Sequence, residues 1–81
     1  MLEYTYQIKK LKKYFLLEDG TIKWVDDKKD AISFNDAQVA YTNASNLARH
    51  FGAMIVVRNE TDSYTGESVE KAIKIFTKPA N

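Results

Sequence analysis

The dipeptide Asp19-Gly20 separates two apolar-rich runs and constrains the fold more than any other feature of this sequence. Both central residues of a type I′ turn need positive φ, which glycine adopts freely and aspartate tolerates. A two-residue turn here predicts an antiparallel hairpin over residues 14–25. The cross-strand pairs that follow are Glu18 with Thr21, Leu17 with Ile22, Leu16 with Lys23, Phe15 with Trp24, Tyr14 with Val25 and Lys13 with Asp26.

Directly opposed residues share one face of a sheet, so this register sorts the hairpin residues into two faces. One face is wholly apolar and is predicted to face the core; its members are Phe15, Leu17, Ile22 and Trp24. The opposite face carries an apolar strip made of Tyr14, Leu16 and Val25. We expect that strip to be an interface, unless the tail of the chain covers it.

Apolar residues recur at alternating spacings of three and four in the middle of the chain, which predicts an amphipathic helix over residues 36–51. They are Ala37, Ala40, Ala44, Leu47 and Phe51. Asn35 is the predicted N-cap, with Gln38 as its capping-box partner. Gly52 supplies the left-handed residue that commonly follows a helix.

Three further segments complete the predicted fold. A short β-branched run at residues 53–59 predicts a buried central strand. The alternation of residues 2–8 favours an N-terminal strand, although a helix also fits. The tail, residues 67–77, is compatible with a second helix or with a further strand. We therefore predict one α+β domain over residues 1–81, in which a small antiparallel sheet packs on one helix.

Composition excludes several classes of protein. The chain has no cysteine, which rules out disulfides, thiol catalysis and cysteine-ligated zinc. Twelve basic and eleven acidic residues give a net charge of +1, which argues against a DNA mimic and against a histone-like protein. The first residues lack a signal-peptide pattern and no apolar run approaches the roughly 18 residues of a spanning helix, so we expect a cytoplasmic protein.

The sequence offers few groups for catalysis. His50 is the only histidine, and its position near the predicted helix end favours a structural role. The three glycines are accounted for by turns and a cap, which leaves no glycine-rich phosphate loop. Asp26, Asp27 and Asp30 could gather around a cation, but the intervening lysines favour a solvated loop. We predict a protein without enzymatic activity, metal or cofactor.

The run KKLKK, residues 9–13, is the one concentrated basic segment. It suggests weak nucleic-acid binding as an alternative function, with Lys9, Lys10, Lys12 and Lys23 as phosphate contacts and nearby tyrosines as stacking platforms. Against this, both arginines lie elsewhere. We expect Lys13 to face Asp26, Leu11 to anchor the connector, and the other three lysines to form an exposed basic turn.

Protein binding is the favoured function. The predicted contact residues are Tyr14, Leu16, Lys23 and Val25 on the hairpin, with Tyr64 in the polar loop of residues 59–68. An edge strand could also pair with a partner's sheet or with a second copy, so we expect a homo-oligomer. No membrane association is expected. The partner's identity is left open.

The order of elements over residues 14–57 resembles a known group of proteins. It consists of a hairpin ending in Trp24-Val25, the motif Asp30-Ala31-x-x-Phe34, a helix with spaced alanines, Phe51-Gly52-Ala53 and Ile55-Val56-Val57. This order is similar to that of small accessory proteins encoded by phages and prophages of low-GC bacteria. The resemblance implies an inhibitor that binds a host enzyme or defence complex in the host cytoplasm, and it carries over no functional residue.

Overall fold

The computed structural model describes residues 1–79 as a five-stranded antiparallel sheet with one long helix against it. The elements are β1 (Leu2–Lys10), β2 (Lys13–Glu18), β3 (Thr21–Val25), a one-turn 3-10 helix (Lys28–Asp30), α1 (Ala37–Phe51), β4 (Met54–Asp62) and β5 (Ser68–Phe76). The strand order is β3-β2-β1-β4-β5. The predicted α+β class is confirmed, with β3 and β5 as the two edges of the sheet.

The hairpin has the predicted register. Every pair from Tyr14 with Val25 to Glu18 with Thr21 is present, and Asp19 and Gly20 have φ of 51° and 75°. Positive φ at both turn residues is what a type I′ turn requires, which explains the aspartate and the glycine at these positions.

The tail is a strand, which settles the open alternative. β4 runs on to Asp62, beyond the predicted 53–59, and pairs with β5 from Met54 opposite Phe76 to Thr61 opposite Ser68, with a register shift between Val56 and Val57. The predicted loop of residues 59–68 therefore shrinks to residues 63–67. On its other side β4 pairs with β1 from Asp62 opposite Leu2 to Ile55 opposite Lys9, which confirms the N-terminal strand.

The helix begins one residue later than predicted, and its N-cap is Asp36. A carboxylate oxygen of Asp36 accepts a hydrogen bond from the Gln38 N–H at 2.7 Å. The prediction of Asn35 as N-cap is wrong, because the helical backbone starts at Ala37 and the side chain of Asp36 satisfies one of its free N–H groups. Gly52 follows the helix at φ 93°, as predicted. Within residues 1–79, no helix has the length and apolar character needed to cross a membrane.

The core lies between α1 and one face of the sheet. The sheet contributes Ile8, Phe15, Met54 and Val56, and the helix contributes Ala40, Ala44, Leu47 and Ala48. The small alanine side chains let the helix lie close to the strands. Since α1 packs on β1, β4 and β5, it does not cover the hairpin tip. The core prediction is therefore wrong for Leu17 and Ile22, which are 45% and 40% exposed.

The hairpin diverges from the sheet soon after it begins. β1 and β2 pair only through Lys9 with Tyr14 and Lys10 with Lys13. Beyond these pairs, β1 bonds to the segment before α1 instead of to β2. The Tyr6 and Phe34 backbones exchange hydrogen bonds of 2.8 and 2.7 Å. The hairpin thus projects from the rest of the sheet and keeps part of both faces accessible.

Candidate functional site: two lysine environments

Successive residues of β1 point to opposite faces of the sheet, which separates Lys9 from Lys10. The Nζ atom of Lys10 lies 5.7 Å from the ring centre of Trp24, on the side where α1 packs. The Nζ atom of Lys9 lies on the other side, 3.2 Å from a carboxylate oxygen of Glu70. Two groups result. The "Glu70 network" comprises Gln7, Lys9, Tyr14, Lys28, Asn59 and Glu70, and the "basic corner" comprises Lys10, Leu11, Lys12, Lys13 and Trp24.

Glu70 is the centre of its network and accepts hydrogen bonds from three elements. The hydroxyl of Tyr14 donates at 2.6 Å, Lys28 Nζ donates at 3.3 Å, and Lys9 Nζ donates at 3.2 Å. Tyr14 and Glu70 lie on β2 and β5, with β1 and β4 between them in the sheet. Three strand spacings amount to about 14 Å in a flat sheet, so the sheet must coil for these side chains to meet.

The network extends inward through two buried amides. Asn59 Nδ2 donates to Gln7 Oε1 at 2.9 Å, and Gln7 Nε2 donates to the backbone carbonyl of Lys28 at 2.7 Å. Lys28 Nζ closes the ring by donating to Asn59 Oδ1 at 2.8 Å. Over residues 1–79, no buried side-chain nitrogen or oxygen is left without a partner. A fully satisfied polar cluster of this kind stabilises one arrangement of the fold.

The pKa values of Glu70, Lys9 and Tyr14 are all shifted away from neutral pH. Burial acts to raise the pKa of Glu70, but hydrogen bonds from Tyr14, Lys9 and Lys28 outweigh it and lower that pKa. Burial acts to lower the pKa of Lys9, and the contact with Glu70 reverses this and raises it. Burial and the bond to Glu70 both raise the pKa of Tyr14. The carboxylate stays charged and the phenol neutral at neutral pH, which suits a structural ion pair.

The basic corner is built on the two-residue turn between β1 and β2. A groove of about 560 Å³ lies there, lined by Lys10, Leu11, Lys12, Lys13 and Trp24. Leu11 has φ 57° and is 83% exposed. The expectation that Leu11 anchors a connector is wrong, because the pairing of Lys10 with Lys13 leaves room only for a tight turn, with Leu11 in solvent.

Positive charge in the basic corner is largely uncompensated. Among residues 1–79, Lys10 and Lys12 make no ion pair. Lys13 lies 3.6 Å from Asp26, the predicted partner, but both side chains are mostly exposed. Such an exposed pair contributes less than about 1 kcal/mol. The corner therefore keeps a local positive charge although the whole chain carries only +1.

The predicted protein-binding residues fall into two places. Tyr14, Leu16 and Val25 are half-buried on the face opposite the helix, and Lys23 is exposed beside them in an ion pair of 3.0 Å with Glu18. Tyr64 is 88% exposed in the turn between β4 and β5, near the start of β1. Tyr14 is opposite Lys9 at one end of β1, and the Tyr64 turn bonds to Met1 at the other end. At about 3.3 Å per strand residue, the two tyrosines are therefore about 25 Å apart. The structure brings the four hairpin residues together and leaves Tyr64 apart.

The predicted nucleic-acid residues are divided between faces and partners. Lys9 is half-buried in the Glu70 network, so its assignment to an exposed basic turn is wrong, because strand alternation turns it away from Lys10. Lys23 is paired with Glu18. Of the four predicted lysines, only Lys10 and Lys12 remain together in the basic corner.

The aspartates that were considered as a cation site have local structural roles. Asp27 accepts a hydrogen bond of 2.9 Å from the Lys29 N–H at the start of the 3-10 helix. Asp26 pairs with Lys13, and Asp30 is exposed. In the part of the chain that the structure describes, no three acidic or histidine side chains gather closely enough to hold a metal ion.

Sequence reasoning missed the main members of the Glu70 network and the exposure at the hairpin tip. Glu70 and Lys9 are 61 residues apart, and no local pattern signals such a contact. One signal was available for the two lysines: if Ile8 faces the core, strand alternation places Lys9 and Lys10 on opposite faces. For Leu17 and Ile22, the register gave the correct face but could not show where the helix ends.

No protein-family model, curated protein or solved structure matches the chain. The candidate site therefore rests on the geometry of the chain itself. Trp24 forms one wall of the basic corner, and the same hairpin face continues from Trp24 to Ile22 and Leu17. Together these residues make a continuous surface that is apolar along the β2–β3 hairpin and basic at the turn between β1 and β2.

Proposed function

We propose that the protein acts by binding another protein stoichiometrically, without catalysing a reaction, through the helix-side face of the β2–β3 hairpin. One observation carries this proposal: the cross-strand pair Leu17 and Ile22 is 45% and 40% exposed on a face of core character. Phe51 at the end of α1 is 38% exposed and packs edge-on against Trp24, which extends the apolar surface. Contiguous exposed apolar patches of this kind are typical of protein interfaces.

The state of the titratable groups supports binding over catalysis. General acids and bases work best when their pKa lies near the operating pH. Here the shifts move the pKa values of the carboxylates down and that of the arginine up, so these groups keep their usual charges at neutral pH. Glu60 raises the pKa of Arg58, and Lys71 with Arg58 lowers the pKa of Glu60, as Lys9 and Tyr14 do for Glu70.

The outer face of the hairpin, with Tyr14, Leu16, Lys23 and Val25, is a second part of the proposed interface. β3 is an edge strand and has free backbone groups along one side. A strand of the partner, or of a second copy of this chain, can pair there. Self-association through this edge is part of the proposal, and Tyr64 contributes only to a partner that also reaches the far end of the sheet.

The biological setting proposed is a phage or mobile-element accessory protein that blocks a host enzyme or defence complex. The resemblance of residues 14–57 to such proteins supports this setting. The identity of the captured protein tests it separately, since a partner outside host enzymes and defence complexes would leave the binding mode intact and remove the setting.

The test is capture of partners from a lysate of a low-GC bacterium with tagged protein. We expect Leu17→Ser/Ile22→Ser to lose the partner and to keep a cooperative unfolding transition, with a melting temperature lowered only modestly because both side chains are already half exposed. Val39→Ser is the matched control, since Val39 is 47% exposed on α1. Leu16→Ser/Lys23→Gln probes the outer face. Light scattering on the purified complex should give a fixed ratio of subunits.

An unchanged set of captured proteins for Leu17→Ser/Ile22→Ser would contradict the assignment of the interface. A catalysed conversion of the captured protein, abolished by His50→Ala, would contradict the non-enzymatic function. A concentration series by light scattering tests self-association independently, and a monomer at all concentrations would remove that part.

A further inference from the structure

The basic corner has the size and lining of a recognition site. Its groove of about 560 Å³ lies within the roughly 300–1,000 Å³ range of ligand pockets, enough for one or two side chains of a partner. Leu11 and Trp24 form its apolar walls, and Lys10, Lys12 and Lys13 surround them. The groove therefore combines apolar contact with a basic rim.

Within residues 1–79, Leu11 has too little packing to account for a leucine at the turn. Its φ of 57° lies in the left-handed region, which is unfavourable for residues other than glycine, asparagine and aspartate. Its side chain is 83% exposed and so gains little from burial. Glycine would adopt the same φ without strain and without an exposed apolar side chain. Exposed residues held at a strained φ often lie where a protein contacts another molecule.

The charge of the corner indicates the sign of that molecule. Lys10 and Lys12 lack an acidic partner within residues 1–79, whereas Lys9, the neighbouring residue, is neutralised by Glu70. Lys13 has only the exposed Asp26 at 3.6 Å. Three ammonium groups in four residues are complementary to several carboxylates or phosphates.

The lining favours a peptide over a nucleic acid. Single-strand binders stack bases on exposed aromatic faces and rely on arginine. The corner has no arginine. The ring centre of Trp24 already lies 5.8 Å from the ring centres of both Phe15 and Phe51, and 5.7 Å from Lys10 Nζ. An apolar side chain from a peptide needs only the remaining apolar wall beside Leu11.

We propose that the basic corner binds an acidic peptide segment of a partner protein. An apolar side chain of the segment enters the groove between Leu11 and Trp24, and neighbouring carboxylates lie beside Lys10 and Lys12. This inference rests on the proposed function, because it names the chemical class of the protein partner. It adds an independent contact to the hairpin surface of Leu17 and Ile22.

The test uses Trp24, the only tryptophan, as an internal reporter. The intact protein is titrated with a panel of unlabelled peptides, each with four glutamates around a central leucine, phenylalanine or tryptophan analogue that does not fluoresce. We expect a saturable change in Trp24 emission that weakens as salt rises from 50 to about 500 mM. Replacing the central residue by serine, or the glutamates by glutamine, should remove the response.

Matched variants locate the binding. Lys10→Gln/Lys12→Gln and Leu11→Asn should each weaken the best peptide about tenfold, the first by loss of charge and the second by loss of apolar contact. Lys29→Gln is the control, because Lys29 is an exposed lysine of the 3-10 helix outside the corner. It should bind as the wild type does. Unchanged melting temperatures exclude misfolding as the cause.

Three outcomes would overturn the inference: no saturable response to any peptide of the panel, equal binding of the serine-substituted peptide, or tighter binding of single-stranded DNA or anionic lipid vesicles. Failure of the proposed function is distinguishable. If Leu17→Ser/Ile22→Ser captures the same proteins as the wild type while the corner variants lose the peptide, the hairpin assignment falls and the corner assignment stands.

Discussion

Lys9 and Lys10 are adjacent in the sequence and lie in opposite environments. Lys9 is half-buried and bound to Glu70 within a network in which Gln7 and Asn59 are also satisfied. Lys10 lies on the other face against aromatic rings and has no acidic partner within residues 1–79. The difference arises because strand residues alternate between faces, and on the Lys10 face the nearby carboxylate of Asp26 pairs with Lys13 instead.

The lysines of a basic run in a strand therefore do not form one functional unit. In the Glu70 network, removing the lysine charge costs stability because the partly buried carboxylate loses one of its partners. In the basic corner, the exposed charges of Lys12 and Lys13 contribute little to folding, and Lys10 makes no ion pair within residues 1–79. Each substitution below should therefore affect either stability or binding, and one that affects both would break the distinction.

The largest effect is expected for Glu70→Gln. This change leaves the ammonium groups of Lys9 and Lys28 half-buried without a carboxylate and should cost about 2 kcal/mol of unfolding free energy. For a chain of this size, that lowers the melting temperature by roughly 10 °C. Glu18→Gln is the control, since its pair with Lys23 is exposed and contributes less than about 0.5 kcal/mol. Equal losses in urea unfolding would contradict the structural role of the network.

A smaller difference is expected between two lysine substitutions in the same run. Lys9→Gln removes a charge-assisted hydrogen bond and should cost about 1 kcal/mol. Lys12→Gln changes an exposed side chain and should stay within about 0.5 kcal/mol. Chemical denaturation of both variants measures the two values side by side. A larger loss for Lys12→Gln would show that the corner, and not the network, supports the fold.

The pH dependence sharpens the same contrast. The pKa of Glu70 is lowered in the folded state, against the effect of burial, by Tyr14, Lys9 and Lys28, so its stabilisation is present above its ordinary value of 4.5. It is lost as pH falls through the lower folded-state pKa. The stability gap between wild type and Glu70→Gln should be constant from pH 6 to 8 and should narrow below pH 4.5. A gap that widens in acid would contradict the assigned direction.

The smallest expected effect on stability is that of Leu11→Asn. Asparagine adopts positive φ more readily than leucine, so the unfolding free energy should rise by about 0.5 kcal/mol or stay unchanged. Thermal unfolding measures this directly. A loss above about 1 kcal/mol would mean that Leu11 supports the fold, which would remove the reason for assigning it to a ligand.

Most of the correct fold predictions came from local sequence patterns. Asp19-Gly20 determined the hairpin register because its turn geometry admits few residues, and spaced alanines identified the helix because their period matches one face. The tail could not be decided because Ile73 fits two patterns: it shares one helical face with Phe76, and it alternates with Ile75 as strand residues do. Its strand conformation depends on β4 running on to Asp62, which is a tertiary property.

The candidate site was less accessible from the sequence. The KKLKK run was visible, but its division needed the position of Glu70, 61 residues from Lys9. Predicting that Leu17 and Ile22 are exposed would have required knowing where the helix ends relative to the hairpin tip. Local patterns give faces and periods, whereas these features depend on which surfaces other elements cover.

The most direct test of the division between network and corner is a two-dimensional amide NMR titration of the intact protein with the best acidic peptide. Changes in chemical shift should concentrate at residues 10–13 and Trp24, while Gln7, Asn59 and Glu70 stay unperturbed. Changes centred on Gln7, Asn59 and Glu70, or spread evenly over the sheet, would contradict the assignment of binding to the basic corner and of stability to the Glu70 network.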